Sequence, residues 1–231
     1  MGWWSVVKGI VRTIVRVVIA VVINLTVGLL DLFFGFLNWP PKKMRLHVFV
    51  LSEPNPGGDD AGGPASIPVA SAADVQLAID RTIEIYKKRA NVKVVPYSST
   101  FIEYIAAPPP ASVLDFDCSF SSEYGEPGDY FANHLAGWNA IPISLTFPLT
   151  VFVVRSLKPL GCSYATIGDY VVIATPGLQD PTALAHEIGH CCNLWHVGDR
   201  DNLMINGAPG GDELRWWQRN ILRSCRHVLY W

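Results

Sequence analysis

The sequence lacks a basic block: 18 Lys and Arg residues are outnumbered by 20 Asp and Glu residues, so the net charge is −2. It also lacks any RNA-binding signature. A protein that binds nucleic acid needs a concentrated positive surface to neutralise phosphates. No nucleic-acid partner is therefore expected. Charge is sparse in general, at 16% of residues, whereas hydrophobic residues make up 50%, which is ample for the core of one sizeable domain.

A cleavage site is missing after the long apolar run of residues 17–37, because no small-x-small pattern occurs before Trp39. The run exceeds the roughly 7 to 15 residues of a signal-peptide core and reaches the roughly 20 needed to cross a bilayer. Residues 3–16 before it have the pattern of an amphipathic helix with a cationic stripe. The sequence predicts an amphipathic and transmembrane anchor in residues 1–45, and a cleavable signal peptide is the alternative.

Small and polar residues recur on one face of this predicted membrane helix, namely Asn24, Gly28, Asp31 and Gly35. Such residues let a second helix approach closely and offer hydrogen bonds that lipid cannot. An ionised Asp31 facing lipid is costly, so the stripe predicts a transmembrane helix partner or, alternatively, a carboxylate that reaches the headgroups. The predicted localisation is a single-pass membrane protein, with membrane lipid as a further partner.

All five cysteines follow the apolar run: Cys118, Cys162, Cys191, Cys192 and Cys225. This number fits an oxidising compartment, so the domain after the run is predicted to be extracytoplasmic, either periplasmic or extracellular. Sequence alone leaves the pairing open. The preferred pairing joins Cys118 to Cys162, and Cys225 to either Cys191 or Cys192.

Residues 46–231 are predicted to form a single domain. Short apolar runs indicate strands over 46–51, 92–96, 149–154 and 169–174. An amphipathic helix over 72–90, ended by Asn91, separates the first two runs, and a strand, helix and strand at this spacing imply a parallel pair. Residues 52–71 are predicted to be a surface loop, and a last helix is predicted from about residue 211 to 225.

Residues 98–147 are the part with the weakest pattern. They contain scattered acidic residues, namely Asp115, Asp117, Glu123, Glu126 and Asp129. Carboxylate oxygens are the ligands that calcium prefers, so a calcium site is one interpretation. A solvated loop is the preferred one.

Three histidines with a glutamate form the most informative segment. On a helix over residues 181–192, His186 and His190 lie on one face and can hold one metal ion. Glu187 lies beside them, where a carboxylate can accept a proton without binding the metal. His196 can reach the same ion only if the chain turns at Asn193, a residue type that tolerates the left-handed conformation.

This segment resembles the metzincin zinc proteases, whose pattern is HExxHxxGxxH followed by a turn that contains methionine. Here Asn193 replaces the usual glycine, and Met204 follows His196 at the expected distance. The resemblance implies an α/β (α+β) fold with a mixed, mostly parallel twisted sheet, a zinc helix and a C-terminal helix. It also implies that Met204 forms an apolar floor beneath the ion and that an edge segment, residues 162–167, holds the substrate backbone.

The predicted function is therefore that of a membrane-anchored zinc endopeptidase acting on a peptide or protein. His186, His190 and His196 bind Zn²⁺, and Glu187 is the general base for a Zn-activated water. Two family features are not seen, a propeptide and a cysteine switch. The alternatives are a non-proteolytic assembly subunit of a membrane complex that retains the fold, and a metal-dependent enzyme acting on a substrate other than a peptide.

Overall fold

The structure is a computed structural model. It describes residues 37–58, 64–136, 148–163, 170–207 and 210–230. It also describes eight residues nearer the N-terminus: Val11, Val18, Val22, Leu25, Thr26, Gly28, Leu29 and Asp31. Of the predicted helix stripe, Gly28 and Asp31 are therefore described, whereas Asn24 and Gly35 lie outside the described residues.

A mixed sheet of eight strands forms the centre of the molecule, as predicted. The central strand β1 (Lys42–Pro54) is buried along most of its length, as is usual for a strand with neighbours on both sides. Its parallel neighbours are β3 (Val92–Pro96), β4 (Ile102–Ile105) and β6 (Leu149–Val154), and its antiparallel neighbours are β2 (Ser66–Pro68) and β10 (Val228–Leu229). The parallel relation of β1 and β3 confirms the prediction from the strand, helix and strand pattern.

The sheet ends at the side where the histidines lie. Strand β9 (Tyr170–Ala174) is parallel to β6, and β8 (Gly161–Ser163) pairs antiparallel with β9 as the last strand in the order. A separate small sheet is formed by β5 (Asp115–Phe116) and β7 (Ser156–Leu157). One edge of β8 is therefore free of a strand partner in the described part of the sheet.

Helix α1 (Ala72–Ala90) has the predicted bounds because both of its ends are encoded locally. The Ser71 side chain accepts a hydrogen bond from Asp74 N at 3.2 Å, which caps the first turn. Asn91 takes a left-handed conformation with φ 51° and ends the helix. The apolar face of α1, including Val75, Ile79 and Tyr86, is buried in the core between helices and sheet.

Other elements differ from the prediction where partners distant in sequence decide them. Strand β1 is longer than the predicted 46–51, because its first residues pair with β3 and β10. The predicted loop 52–71 includes the end of β1 and strand β2. The weakly patterned region contains three short helices, α2 (Ala111–Leu114), α3 (Phe120–Glu123) and α4 (Glu126–Asn133).

The last helix, α6 (Trp216–Arg223), begins later than the predicted residue 211. Residues 211–213 instead pair with the loop that precedes Met204: Gly211 N donates to Arg200 O at 3.1 Å, and Glu213 N donates to Asp201 O at 3.0 Å. These backbone groups are used outside a helix, so the helix starts only after them.

The predicted single-pass membrane localisation is wrong. Within the described residues, the structure has no helix with both the length and the apolar character needed to cross a membrane. The acidic residue of the predicted membrane helix, Asp31, is buried against the folded domain. It pairs with Lys42 Nζ at 2.7 Å and accepts a hydrogen bond from the Tyr230 hydroxyl at 2.8 Å. Its charge is thus balanced within this chain, and the predicted helix partner stays a prediction.

The cysteine prediction is half correct. Cys118 and Cys162 form a disulfide with a Cα–Cα distance of 6.1 Å, a bond typical of proteins from oxidising compartments. Cys191, Cys192 and Cys225 are buried thiols that are not disulfide-bonded, so the predicted second bridge is not formed. They lie in the main apolar core, where a thiol packs as a small hydrophobic group.

Candidate metal centre

Helix α5 (Ala183–Cys191) presents the first two histidines, and an acidic residue sets where it begins. Asp180 Oδ1 accepts hydrogen bonds from Thr182 N at 2.8 Å and Ala183 N at 3.0 Å. A carboxylate at this end satisfies unpaired N–H groups and complements the helix dipole. The helix therefore begins at Ala183, two residues after the predicted start at Pro181.

The end of α5 returns the chain toward its own histidines. Asn193 has φ 66°, a left-handed conformation, and Leu194 N donates to Gly189 O at 3.0 Å. This closure reverses the chain within a few residues. His196, which a continued helix would carry away, is thereby placed next to His186 and His190.

Two carbonyl groups orient the rings of the helical histidines. His186 Nδ1 lies 2.7 Å from Leu203 O, and His190 Nδ1 lies 2.8 Å from Leu194 O. A carbonyl oxygen only accepts hydrogen bonds, so each Nδ1 carries the proton and each Nε2 keeps a free lone pair. Both Nε2 atoms therefore face the same point as ligand atoms.

The three Nε2 atoms lie within a few tenths of an ångström of the spacing that a tetrahedral zinc ion requires. His190 Nε2 is 3.1 Å from both of the others, and His186 Nε2 is 3.2 Å from His196 Nε2. Zn–N bonds of about 2.0 to 2.1 Å at tetrahedral angles imply N–N distances of about 3.3 to 3.4 Å. The lone pairs on His186 and His190 repel each other at this distance unless a cation lies between them. The trio therefore fits a metal ion, and it is the cluster of metal-binding side chains found among the described residues.

Burial keeps the helical histidines neutral, which is the form that binds metal. Burial, together with the smaller effects of His186 and His196, lowers the pKa of His190 to about 4, although the hydrogen bond to the Leu194 carbonyl opposes the shift. Burial also lowers the pKa of His186. At neutral pH, no proton therefore competes with a metal ion for these two nitrogens.

Glu187 lies in the same cleft and is half-buried. Burial raises the pKa of its carboxyl group to about 7, and the nearby Ser163 hydroxyl acts in the opposite direction. Strand β8 passes directly against this side chain: a Cβ atom added at Gly161 would lie only 2.5 Å from Glu187 Cγ. The carboxyl group is thus held between α5 and the edge of the sheet.

Met204 is fully buried and packs against α5 from the other side. A Cβ atom added at Gly189 would lie 2.6 Å from Met204 Sδ, so the glycine permits this close approach. The role of Met204 as a floor beneath a metal ion stays a prediction.

The cleft is a cavity of about 530 Å³. It is lined by His186, Glu187, His190 and His196, and by β8 with the preceding residues 158–160. Residues 205–207 and both cysteines of the Cys118–Cys162 disulfide also line it. The first two residues of the predicted substrate-binding segment 162–167 thus line the cavity, whereas residues 164–167 lie outside the described residues.

Several residues that shape the site had not been predicted. The capping role of Asp180 has a sequence signal, since an acidic residue before an apolar periodic run is typical of a helix start. The Leu203 carbonyl and the close approach of Gly161 have no local signal, because each meets a segment far away in sequence, whereas the Leu194 carbonyl lies only four residues after His190.

Two of the acidic residues considered for calcium, Asp115 and Asp117, have other partners. Asp115 pairs with Arg155, and Asp117 accepts hydrogen bonds from Ser119 N and Ser122 Oγ. Within the described residues, no carboxylate cluster suited to a metal ion occurs there. The preferred interpretation of this region as a solvated loop is wrong in part, because the region contains the short helices α2, α3 and α4.

The fold has solved counterparts. Metalloproteinase-II from Bacteroides fragilis matches with a TM-score of 0.50 and 16% sequence identity over 83% of this chain. The chain shares its fold with a metalloproteinase. The match covers 60% of the Bacteroides fragilis chain, so this chain spans less than two thirds of that protein. Mature mirolysin from Tannerella forsythia, solved in complex with a cleaved peptide, matches with a TM-score of 0.49 and 13% identity over 80% of this chain and 91% of its own.

At the level of sequence, no protein-family model matches the chain, and no curated protein matches it.

Proposed function

We propose that the protein is a metzincin-like zinc endopeptidase. The observation that carries the proposal is the convergence of three histidine Nε2 atoms, 3.1 to 3.2 Å apart, beside Glu187 in an open cleft. Three neutral imidazoles are a common ligand set for catalytic zinc, because they leave one coordination position for water or substrate.

Zinc held by His186, His190 and His196 would supply Lewis-acid activation of water and of a carbonyl group. Glu187 supplies the proton transfers. Its carboxylate accepts a proton from the attacking water and then donates it to the leaving amine. A pKa near 7 suits both steps, since the group can then gain and lose a proton near neutral pH.

A peptide substrate fits the wall of the cleft. Strand β8 pairs with β9 through one edge, and its residues Gly161, Cys162 and Ser163 line the cavity. An extended peptide can add to such an edge through backbone hydrogen bonds that do not depend on its sequence. This arrangement would hold a scissile carbonyl over the histidines. It favours peptide hydrolysis over the non-proteolytic alternative, because a protein that does not cut peptides needs neither the three histidine ligands nor Glu187.

The test combines metal analysis with a peptide library. We expect one zinc ion per chain and peptide cleavage that a chelator abolishes. Glu187→Gln should keep the zinc and lose cleavage by at least about 10² to 10⁴-fold, since general-base catalysis contributes that much. Glu84→Gln, an exposed change on α1, serves as the control with unchanged activity. Full cleavage by the Glu187→Gln variant would refute the assigned mechanism.

A further inference from the structure

The turn that contains Met204 is tied to helix α6 by two buried amide side chains. Asn202 Nδ2 donates to Gln218 Oε1 at 2.8 Å, and Gln218 Nε2 donates back to Asn202 Oδ1 at 3.1 Å. Both residues have 0% exposure. Apolar side chains of similar size would fill this space without the cost of burying two amides. Unlike apolar side chains, the two amides form directional hydrogen bonds, which fix how the turn lies against α6.

Backbone N–H groups set the orientation of both amides. Met204 N donates to Asn202 Oδ1 at 2.9 Å, and Arg215 N donates to Gln218 Oε1 at 2.8 Å. An amide NH₂ group cannot accept these hydrogen bonds, so the atom facing each N–H is the oxygen. The Asn202–Gln218 amide pair thus connects the backbone of the turn to the start of α6.

Leu203, between Asn202 and Met204, links this arrangement to the metal centre. Its N–H donates to Glu213 O at 2.8 Å, and its carbonyl accepts the hydrogen bond from His186 Nδ1 at 2.7 Å. The backbone on both sides of that carbonyl is therefore held by α6 and the segment before it. A shift of the turn would move the group that sets the His186 ring and tautomer.

We propose that Asn202 and Gln218 are positioning residues for the metal centre. They hold the Leu203 carbonyl so that the His186 Nε2 lone pair faces the other two histidines, and they hold Met204 against Gly189. The inference rests on the proposed function, because it assigns these residues to the same zinc site. His190 takes its orientation from Leu194 and lies outside this network, so it provides an internal reference.

The first test measures zinc affinity by competition with a chromophoric chelator. Gln218→Met removes the amide and keeps a side chain of similar length. We expect about 10 to 100-fold weaker zinc binding, the usual effect of losing a group that orients a ligand. Thr82→Val is the matched control, since it also removes a buried hydrogen bond, from Thr82 Oγ1 to Ala78 O, but in α1. An affinity lowered no more than in this control would overturn the inference.

The second test needs no metal. Nitrogen-15 NMR of the metal-free protein reports which ring nitrogen carries the proton. In Gln218→Met we expect His186 to lose its uniform Nδ1–H form, whereas His190 keeps it. An unchanged His186 tautomer would contradict the proposal.

A milder variant covers the case in which Gln218→Met does not fold. Asn202→Ser keeps a side-chain oxygen that can accept from Met204 N and loses the donation to Gln218 without burying a charge, so its effects on zinc affinity and on the His186 tautomer should have the same sign and be smaller. Wild-type protein that binds no zinc would refute the proposed function, whereas normal zinc binding with an unaffected His186 in the variants would refute this inference alone.

Discussion

At the scale of single residues, two glycines determine how closely the parts of the site approach each other. Gly161 lets β8 contact Glu187, and Gly189 lets Met204 contact α5. In both cases an added Cβ atom would lie within about 3 Å of a side chain that the site uses, a separation that tight packing does not tolerate without a shift.

Gly161→Ala tests this close packing. We expect the added methyl group to displace the Glu187 carboxylate and to lower kcat by about 10 to 100-fold, because small displacements of a catalytic group are costly. Zinc content should be unchanged, since the three atoms nearest to the added Cβ all belong to Glu187, which is not a metal ligand. Gly57→Ala, at a position where an added Cβ meets nothing within 4 Å, is the control. Equal activity of the two variants would show that Glu187 tolerates the contact.

At the scale of elements, helices are joined by contacts between charged side chains as well as by the core. Arg89 near the end of α1 pairs with Asp212 at 2.6 Å, and Lys88 lies 3.2 Å from the same carboxylate. Asp212 belongs to the segment that precedes α6. These contacts therefore connect α1 to the region on which the Met204 turn depends.

The Asp212 pair makes a small contribution to stability that depends on pH. The hydrogen bond from Arg89 holds the pKa of Asp212 below its usual range. The ion pair therefore stabilises the fold at pH values above about 4, the pKa of an aspartate in the unfolded chain. This stabilisation is lost as the pH falls through the lower pKa that Asp212 has in the folded protein. Its size should stay below about 1 kcal/mol, because the carboxylate is about one third exposed.

Urea unfolding of wild type and Asp212→Asn should show this dependence. We expect the wild type to be more stable near neutral pH and the difference to shrink below about pH 4. A difference that is constant over this range would mean that the charge of Asp212 does not contribute.

At the scale of the whole molecule, a buried ion pair joins three distant parts of the chain. Asp31 belongs to the N-terminal segment, Lys42 begins β1, and Tyr230, near the last residue, donates to the Asp31 carboxylate. Lys42 also donates to Arg223 O in α6. Burial lowers the pKa of Lys42, although Asp31 opposes this shift, so the ammonium depends on its partner.

Asp31→Leu should destabilise the fold by about 3 to 5 kcal/mol, because it leaves the Lys42 charge buried without a partner. The double variant Asp31→Leu with Lys42→Met should be closer to wild type than the sum of the single changes, since it removes both charges. Denaturant unfolding of all four proteins measures the coupling. Additive effects would mean that the pair does not act as a unit.

Local patterns were sufficient for the elements whose ends and faces are set within a few residues. The bounds of α1 follow from Ser71 and Asn91, and helical periodicity alone places His186 and His190 on one face. Capping and periodicity act between near neighbours in sequence, so they can be read without knowing what packs on the element.

Contacts between distant segments decided the features that differ from the sequence predictions. Backbone pairing with residues 200 and 201 delayed the start of α6. The core enclosed Cys191, Cys192 and Cys225 as thiols without the expected bridge. Lys42, at the start of β1, pairs with Asp31, a contact that sequence patterns did not predict. The Leu203 carbonyl that orients His186 is 17 residues away along the chain. Hydropathy and spacing describe a residue and its near neighbours in sequence. The contacts of a residue with distant segments depend on packing, which is defined only in the tertiary structure.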